Sequence, residues 1–458
     1  MDNAAKNQAL VDALAKNLPE DASEALVNQI FASELFNFLG FEVNERVPSF
    51  STGKGNESVD HALRHNTEND IFSQTKTNPD ILVELKTRKR NLAHDSTDYK
   101  KTFAQIKGYL EADNCKAVKW GIITNANHIQ LFRKHGKVIH PATVCLAINP
   151  ENIIKIATLI KDKISKPKKA LTVAVYNNKG GVGKTTTTVN TAAALSLSGK
   201  KVLIVDFDPN QRDLTNYLAI KPGEPTFYDC LVDKNVNVID VIHPYRIKSK
   251  KSAKKFGFDV ISMKEDPVWF NEVTLRQNIK IMRLRQVLEK LKNSYDYILI
   301  DSSPNWRIFS QSAIYAADVV LIPTKYNNIY SLANAAITIK EYIPEVQKAR
   351  RKYQDFGPVA LPIFFNGERK ITPAQKSVAT SAIDKLIQDA QEDSNNKFDL
   401  VPYFYPKYIP GDENKEIFEL SSSVSIANSA FSRMPAVYKD KVAKNYYSKL
   451  VEEYFFYE

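Results

Sequence analysis

Eight residues, Lys-Gly-Gly-Val-Gly-Lys-Thr-Thr at 179–186, constrain this chain more than any other stretch. An apolar segment, LTVAVY (171–176), runs into them, and a Thr/Ala-rich helical stretch follows. Glycines at 180, 181 and 183 let successive backbone N–H groups point into one concavity, and the next helix adds its N-terminus. The predicted unit is therefore a strand, a phosphate-cradling loop and a helix. Gly180, Gly181, Val182, Gly183, Lys184, Thr185 and Thr186 form the nucleotide-binding set. In it Lys184 reaches the β- and γ-phosphates and the Thr185 hydroxyl ligates Mg²⁺. The common GxxxxGK[ST] spacing would put its first glycine at 178, where this chain has Asn178. In its place a lysine, Lys179, stands directly before the glycine pair.

The loop predicts a parallel sheet, and the segments beyond it agree. KVLIVDFD, YDYILID, DVVLIPT and VALPIFF are near-continuous apolar runs separated by helical stretches, the pattern of strands buried on both faces. The expected class is α/β, a doubly wound and mainly parallel sheet carrying the P-loop. A chain of 458 residues exceeds one ordinary core. The predicted organisation is a smaller α+β domain over 1–160, a Lys/Pro-rich linker over 161–170 and the α/β domain over 171–458. Within the first, 25–43 has helical apolar spacing ending at Gly40, and 58–64 and 70–75 read as extended. DILVELK (80–86) reads as a strand, 99–112 as a helix, and 118–125 and 129–139 as two strands around an Asn-Ala-Asn turn.

No run approaches the roughly 18 apolar residues of a spanning helix, and the acidic N-terminus lacks a secretory apolar region. Three cysteines lie far apart with no metal or disulfide spacing, and the seven histidines show no HxxH or HExxH pattern. A reducing cytoplasm is the expected compartment. The net charge of +11 is uneven. Residues 1–166 carry 22 Lys/Arg against 20 Asp/Glu, whereas 167–458 carry 41 against 32, a net of +9. That excess points to a polyanionic partner. Its clusters are 246–255, 348–352 and the last helix with Lys439, Lys441, Lys444 and Lys449.

The lysine before the glycine pair resembles the deviant Walker A box of the ParA/MinD ATPases, and the resemblance continues in order from about residue 170 to the end. KVLIVDFDPNQRDLT (201–215) is similar to that family's second box, which implies that Asp208 positions the attacking water, with Asp206 beside the metal. YDYILIDSSP (295–304) resembles its Walker B and places Asp301 in the outer shell of Mg²⁺. AADVVLIPTK (316–325) resembles the strand that follows. IFFN (363–366) implies that Asn366 faces the adenine edge, and 404–416 loosely matches a second adenine-contacting loop. The resemblance implies ATP and Mg²⁺ as cofactors and an ATP-dependent homodimer in which Lys179 reaches the partner's ATP. It also implies non-specific duplex DNA as a partner, with Lys439, Lys441 and Lys444 as contacts, and a ParB-like or other adaptor protein. The C-terminal KLVEEYFFYE shows no basic amphipathic membrane-targeting helix, so DNA is expected in preference to membrane. Tyr446 and Tyr447 are expected in the core.

The N-terminal part departs from ordinary ParA proteins. GNESVDHALRHN (55–66), VELK (83–86), QIKGYL (105–110) and WGIITNANHIQLF (120–132) resemble the nuclease domain of type I restriction enzyme R subunits, a PD-(D/E)xK fold. The resemblance maps a metal-binding aspartate to Asp60, the ExK pair to Glu84 and Lys86, and a helical Q-x-x-x-Y to Gln105 and Tyr109. Strand alternation puts Glu84 and Lys86 on one side. The 24 residues from Asp60 to Glu84 leave Asp70 and Asp80 as alternatives. The expected function is ParA-type partition or positioning of DNA or another cargo on the nucleoid. The alternatives are a defence nuclease gated by the ATPase and a non-catalytic N-domain that recruits a partner or DNA.

Overall fold

The computed structural model describes residues 3–248, 255–265, 271–368, 371–412 and 414–457. The chain forms two compact units. The first comprises Met1–Lys168, Arg351–Phe356 and Phe455–Glu458, and the second Lys169–Arg350 and Gly357–Tyr454.

The first unit is built on a mixed sheet of β1 (Arg46–Ser51), β2 (Ser58–Leu63), β3 (Ile81–Leu85), β4 (Trp120–Thr124), β5 (His128–His135), β6 (Val138–Pro141) and β7 (Leu146–Ala147). They run in the order β1-β2-β3-β4-β5-β6, with β7 also on β5. Only β3–β4 is parallel. Side chains alternate between two cores. Leu63, Ile81, Val83 and Ile122 pack with Phe31, Leu35 and the helix Ile153–Ser165. Ala62, Leu82 and Ile123 pack with Tyr99, Ile106 and Leu110 of the helix Thr97–Glu111. The expected helix over 25–43 ends at Gly40, whose φ of +103° suits only glycine without strain.

Three expectations change. Residues 70–75 are not a strand: Phe72–Thr75 is a helical turn, entered through the Asn66 side chain, which accepts from the Phe72 N–H at 2.7 Å. The linker expected at 161–170 is helix as far as Ser165, because Ile153, Ile156, Ala157 and Ile160 bury one helical stripe. Lys161 donates to the Phe38 carbonyl at 2.9 Å. Finally, 351–356 and 455–458 fold with the first unit. Gln354 accepts from the Val144 N–H at 3.3 Å, Phe455 accepts from the Lys137 N–H at 3.0 Å, and Lys134 lies 5.1 Å from the Tyr457 ring centre.

The second unit contains β8 (Leu171–Val175), β9 (Val202–Phe207), β10 (Ile242–Lys248), β11 (Lys255–Ile261), β12 (Tyr297–Ser302), β13 (Val319–Leu321), β14 (Pro323–Thr324), β15 (Val359–Ala360), β16 (Phe364–Glu368) and β17 (Glu419–Ser421). The main sheet runs β10-β11-β9-β12-β8-β13-β15, parallel except for the β10–β11 hairpin at its edge. DVVLIPT and VALPIFF each break into two strands next to a proline, the first at Ile322 just before Pro323 and the second over 361–363 around Pro362. The later halves, β14 and β16, join β17 in a small parallel sheet. Proline donates no ladder hydrogen bond, so the break falls where one would be missing. Leu203, Val205 and Phe207 face the helices Arg283–Glu289 and Ile308–Ala316. The alternate residues lie towards Lys184–Leu197, so the sheet is covered on both sides.

A buried ion pair fastens the start of this sheet. Lys292 Nζ meets both Asp318 carboxylate oxygens at 3.0 and 3.1 Å, and Asp318 also accepts from the Thr172 N–H at 2.9 Å. Both side chains are buried, so removing one partner strands the other's charge. Lys292→Met is expected to destabilise the second unit by about 3–5 kcal/mol. Adding Asp318→Asn, which still accepts from Thr172, should recover much of that loss. Hydrogen-exchange protection of β8 and β12 measures both. Equal loss in the single and double variants would contradict the pair's assigned role.

Candidate functional site

The C-terminal ends of β8, β12 and β9 lie side by side. Asp301 stands opposite Val175 of β8 on one side and opposite Asp206 of β9 on the other. The glycine-rich loop leaves β8 at that level, and two glycines in it have left-handed backbone, Gly181 at φ +77° and Gly183 at φ +85°. Open strand ends beneath a helix N-terminus are where α/β folds gather ligands.

Four charged groups converge there. Lys184 is the first residue of the helix Lys184–Leu197, and its Nζ donates back to the Lys179 carbonyl at 3.3 Å. Burial pushes its pKa down against the pull of Asp301, Asp208 and Asp213. Asp301 is buried, and its pKa is driven well up, first by desolvation and then by Asp206. The Thr185 side chain beside it pulls the other way, towards the charged form. Asp301 Oδ1 is nonetheless a buried oxygen with no hydrogen-bond partner. An unsatisfied buried carboxylate oxygen beside a threonine hydroxyl is the donor set that suits Mg²⁺. Among the described residues no three or more His, Cys, Asp or Glu side chains are grouped to hold a metal. An ion here would therefore depend on phosphate oxygens and water for the rest of its shell, as Mg²⁺ usually does.

Asp208 is buried, and its Oδ1 accepts from the backbone N–H groups of Asn210 and Gln211 at 3.3 and 3.4 Å. Desolvation raises its pKa. Asp206, expected beside the metal, is otherwise engaged. Its Oδ2 accepts from the Thr215 N–H at 2.9 Å and hydroxyl at 2.6 Å, and its Oδ1 from the Asp208 N–H at 3.3 Å. Burial lifts it to about 6. It anchors the 208–215 segment that carries Asp208.

Asn366, expected at an adenine edge, holds the loop in this structure. Its Nδ2 donates to the Val182 carbonyl at 2.8 Å and to Thr187 Oγ1 at 3.0 Å. A Cβ on Gly183 would lie 2.5 Å from that nitrogen, so the glycine is required by this close approach as well as by its φ. Sequence reasoning missed Asn177, whose Nδ2 donates to the Pro323 and Ser331 carbonyls at 2.9 and 3.0 Å. An asparagine between a strand and a phosphate loop was the available signal. Lys439, Lys441 and Lys444 are exposed, Tyr447 is fully buried and Tyr446 half-buried. In the 348–352 cluster Arg350 is buried and donates to the Tyr315 and Ala317 carbonyls, so it is structural. Most of the 246–255 cluster, residues 249–254, lies outside the described residues.

In the first unit a second group of charges meets. The register that pairs His61 with Val83, continued by one residue, sets Asp60 opposite Glu84. Asp60 Oδ2 accepts from the Leu85 N–H at 2.6 Å. Glu84 and Lys86 are buried and hydrogen-bonded to each other. Desolvation and then Asp60 push Glu84 up to about 7. Gln105 Nε2 donates to Tyr109 Oη at 2.8 Å, and Tyr109 feels the charges of Glu84 and Asp60. The two alternatives are spoken for: Asp70 pairs with Arg64 at 2.6 Å, and Asp80 with Lys119 at 2.9 Å. Glu24, absent from the sequence reading, joins the group, its pKa raised by burial while it interacts with Lys86 and Asp60.

Glu84 gives a pH test. Its pKa of about 7 in the fold lies above the ordinary 4.5, so between those values the folded chain holds the extra proton. Stability therefore falls as pH rises across that window, and the loss is complete above it. Replacing the pair by Glu84→Gln with Lys86→Met removes this effect. Hydrogen-exchange protection of β3 should fall less from pH 5 to pH 8 in the variant than in the wild type. An equal fall would show that Glu84 does not titrate there.

The AAA domain family model matches residues 170–355. The chain is 40% identical over 156 residues to the sporulation initiation inhibitor protein Soj of Bacillus subtilis, covering 33% of this chain and 57% of that protein. It is 33% identical over 153 residues to the chromosome partitioning protein ParA of Myxococcus xanthus, covering 33% and 50%. With the chromosome-partitioning ATPase Soj of Treponema pallidum it shares 27% identity over 215 residues, 47% and 80%. The chain thus spans little more than half of the Bacillus relative and half of the Myxococcus one. Among solved structures, the septum site-determining protein MinD of Pyrococcus horikoshii, complexed with Mg-ADP, superposes with a TM-score of 0.42 at 21% identity, covering 62% of this chain and 95% of that one. The similarity to these relatives lies in the part of the chain that carries the glycine-rich loop and the AAA domain match.

Proposed function

We propose that this chain is an ATP-hydrolysing switch of the ParA type that partitions or positions DNA or another cargo on the nucleoid. The observation that carries the reading is the convergence of Lys184, Thr185, Asp301 and Asp208 on the glycine-rich loop at the ends of three adjacent strands. Soj and ParA relatives named for chromosome partitioning support it. Thr185 and Asp301 would hold Mg²⁺, which when bound neutralises charge on the β- and γ-phosphates. Lys184 faces the same phosphates, and the backbone N–H groups of 180–186 orient them. Asp208, fixed by two backbone donors on a segment anchored by Asp206, orients the attacking water. Lys179, directly before the glycine pair, reaches the ATP of a second copy, so that ATP joins two subunits and hydrolysis releases them. Positioning and charge neutralisation account for most of the catalysis in such transfers. An adaptor protein and duplex DNA complete the cycle as partners.

Light scattering with ATP, ADP or no nucleotide tests the switch. Wild type should dimerise with ATP alone, Lys179→Ala should remain monomeric, and Asp208→Ala should persist as a dimer. Equal dimerisation without nucleotide would overturn the switch. Asp301→Asn separates metal from nucleotide. Titrating a fluorescent ATP analogue, Mg²⁺ should tighten binding to wild type and have little effect on the variant. An undiminished Mg²⁺ effect would remove Asp301 from the metal's ligands.

A second reading is supported by the Asp60, Glu84 and Lys86 group. The first unit would be a restriction-endonuclease-like domain in which two carboxylates hold a divalent ion and the lysine assists attack on a phosphodiester, gated by the ATPase. Plasmid incubated with Mg²⁺ or Mn²⁺, with and without ATP, should be nicked by wild type and not by Lys86→Ala. If neither cuts, the unit is a binding module for DNA or a partner.

A further inference from the structure

Two of the basic clusters seen in the sequence as separate stretches come together on one edge of the second unit. Lys248 and Lys255 are paired in register at the open end of the β10–β11 hairpin, and both are exposed. Beside them lies an open cleft of about 600 Å³, lined by Lys200, Lys201, Arg246, Lys255, Phe256 and Tyr295. The C-terminal region closes on the hairpin. The Phe256 and Tyr438 rings pack edge to face at 4.9 Å, Tyr245 donates to the Arg433 carbonyl at 3.1 Å, and Tyr438 shares a hydrogen bond with Ser196 at 2.7 Å. These contacts bring Arg433 and Lys439, both exposed, to the same edge. Six cations from three distant parts of the chain thus gather on this edge: Lys200, Lys201 and Lys255 line the cleft, and Lys248, Arg433 and Lys439 are exposed on the segments beside it.

The nearby carboxylates are already matched. Asp259 is held by Arg246 at 2.6 Å and by the Tyr295 hydroxyl at 2.9 Å. Asp296 is held by Lys169 at 3.1 Å and by the Lys201 N–H at 2.7 Å. Asp440 accepts from Ser425 and from the Val442 N–H. The edge therefore keeps a net positive charge. Five of the six cations are lysines on flexible stems, suited to phosphates as point charges and not to reading base edges. The cleft also sits where β9 and β12 begin, at Val202 and Tyr297. The glycine-rich loop lies at the other ends of those strands, so a long polyanion could bind here without entering the ATP site.

We propose that this hairpin edge, with the 200–201 turn and the 433–439 segment, is the surface that binds the phosphate backbone of duplex DNA. The proposal rests on the partition reading and deepens it by moving the centre of contact from the last helix to the sheet edge. Phe256, Phe258 and Tyr295 are wholly or partly buried in the fold, leaving the cleft's aromatic rings unable to insert into lipid, which favours DNA over an anionic membrane.

The test uses the full chain with ATP and a fluorescent random-sequence duplex over a range of salt concentrations. A variant carrying Lys200→Gln, Lys201→Gln, Lys248→Gln and Lys255→Gln should weaken binding for every sequence alike. Its log–log salt slope should be shallower by about 0.9 for each phosphate no longer neutralised, hence about 3–4 in all. Its ATP-dependent dimerisation and ATPase rate should match wild type, since none of the four lies at the loop. A slope within about one unit of wild type, in a variant that still dimerises, overturns this surface and leaves the partition reading standing. Wild type that binds no duplex with ATP overturns both. Phosphatidylcholine vesicles containing phosphatidylserine form a parallel arm. Lysine-dependent capture by these vesicles without DNA binding would assign the edge to a membrane and overturn the proposal.

Discussion

Lys184, Asp206, Asp208 and Asp301 are all buried within one turn of the ends of three parallel strands, and water is too scarce there to stabilise their charges. A carboxylate in that position ordinarily takes a proton or finds partners, because desolvation costs more than one distant lysine returns. Three of the four have done so. Lys184 leans on a loop carbonyl, Asp206 is consumed by Thr215, and Asp208 is held by two N–H groups. Asp301 keeps one oxygen unmatched. That mismatch is tolerated because the surrounding sheet is rigid, and a divalent cation with its phosphates would relieve it. The fold thus carries at its centre a charge deficit that a proton or a bound cation offsets.

The rest of the second unit reads as support for holding that deficit in place. Asn366 and Asn177 brace the loop from two sides, one through its carbonyls and the other through β14 and the helix Ile329–Ile337. The small sheet of β14, β16 and β17 exists because Pro323 and Pro362 interrupt the main ladder, and that interruption is what swings β16 and Asn366 under Gly183. Gly183 has no Cβ to spare for this approach. A side chain there would meet the amide before any nucleotide arrived.

How much of this is legible in the sequence depends on how local each contact is. The loop, its strand and its helix are contiguous, and their glycines and lysine announce the conformation. Asp301 stands at a strand end, and an apolar run that stops at an aspartate is itself a local signal. Asp206 and Asn366 are visible as polar residues at strand ends, but their duties are not, since their partners, Thr215 and Val182, lie 9 and 184 residues away. The 24-residue interval between Asp60 and Glu84 is longer than a hairpin needs. In the fold, Arg64 pairs with Asp70 and lies over Phe72, Asn66 caps the turn, and the excess residues form a self-contained bulge between β2 and β3. The return of 351–356 and 455–458 to the first unit leaves no trace in composition or periodicity, because it rests on a few backbone hydrogen bonds between segments hundreds of residues apart.

The two charged groups use the same pairing of lysine and carboxylate in opposite ways. On β3 and just beyond it, Glu84 and Lys86 are two residues apart on an extended chain, so their side chains share a face and satisfy each other inside the first unit. That pair is complete without a ligand. Glu84 is held near neutrality by burial and by Asp60, so the group can gain or lose a proton around pH 7 at small cost. At the glycine-rich loop, Lys184 opens a helix and Asp301 lies at the end of a strand, and Lys184 turns to the Lys179 carbonyl instead of closing on the carboxylate. A self-satisfied pair favours a site that waits for its substrate without changing shape. An unsatisfied one favours a site whose conformation follows occupancy. On physical grounds, therefore, the loop is the group whose charges are left for a ligand to complete, and the Glu84–Lys86 pair is the one already complete within its own unit.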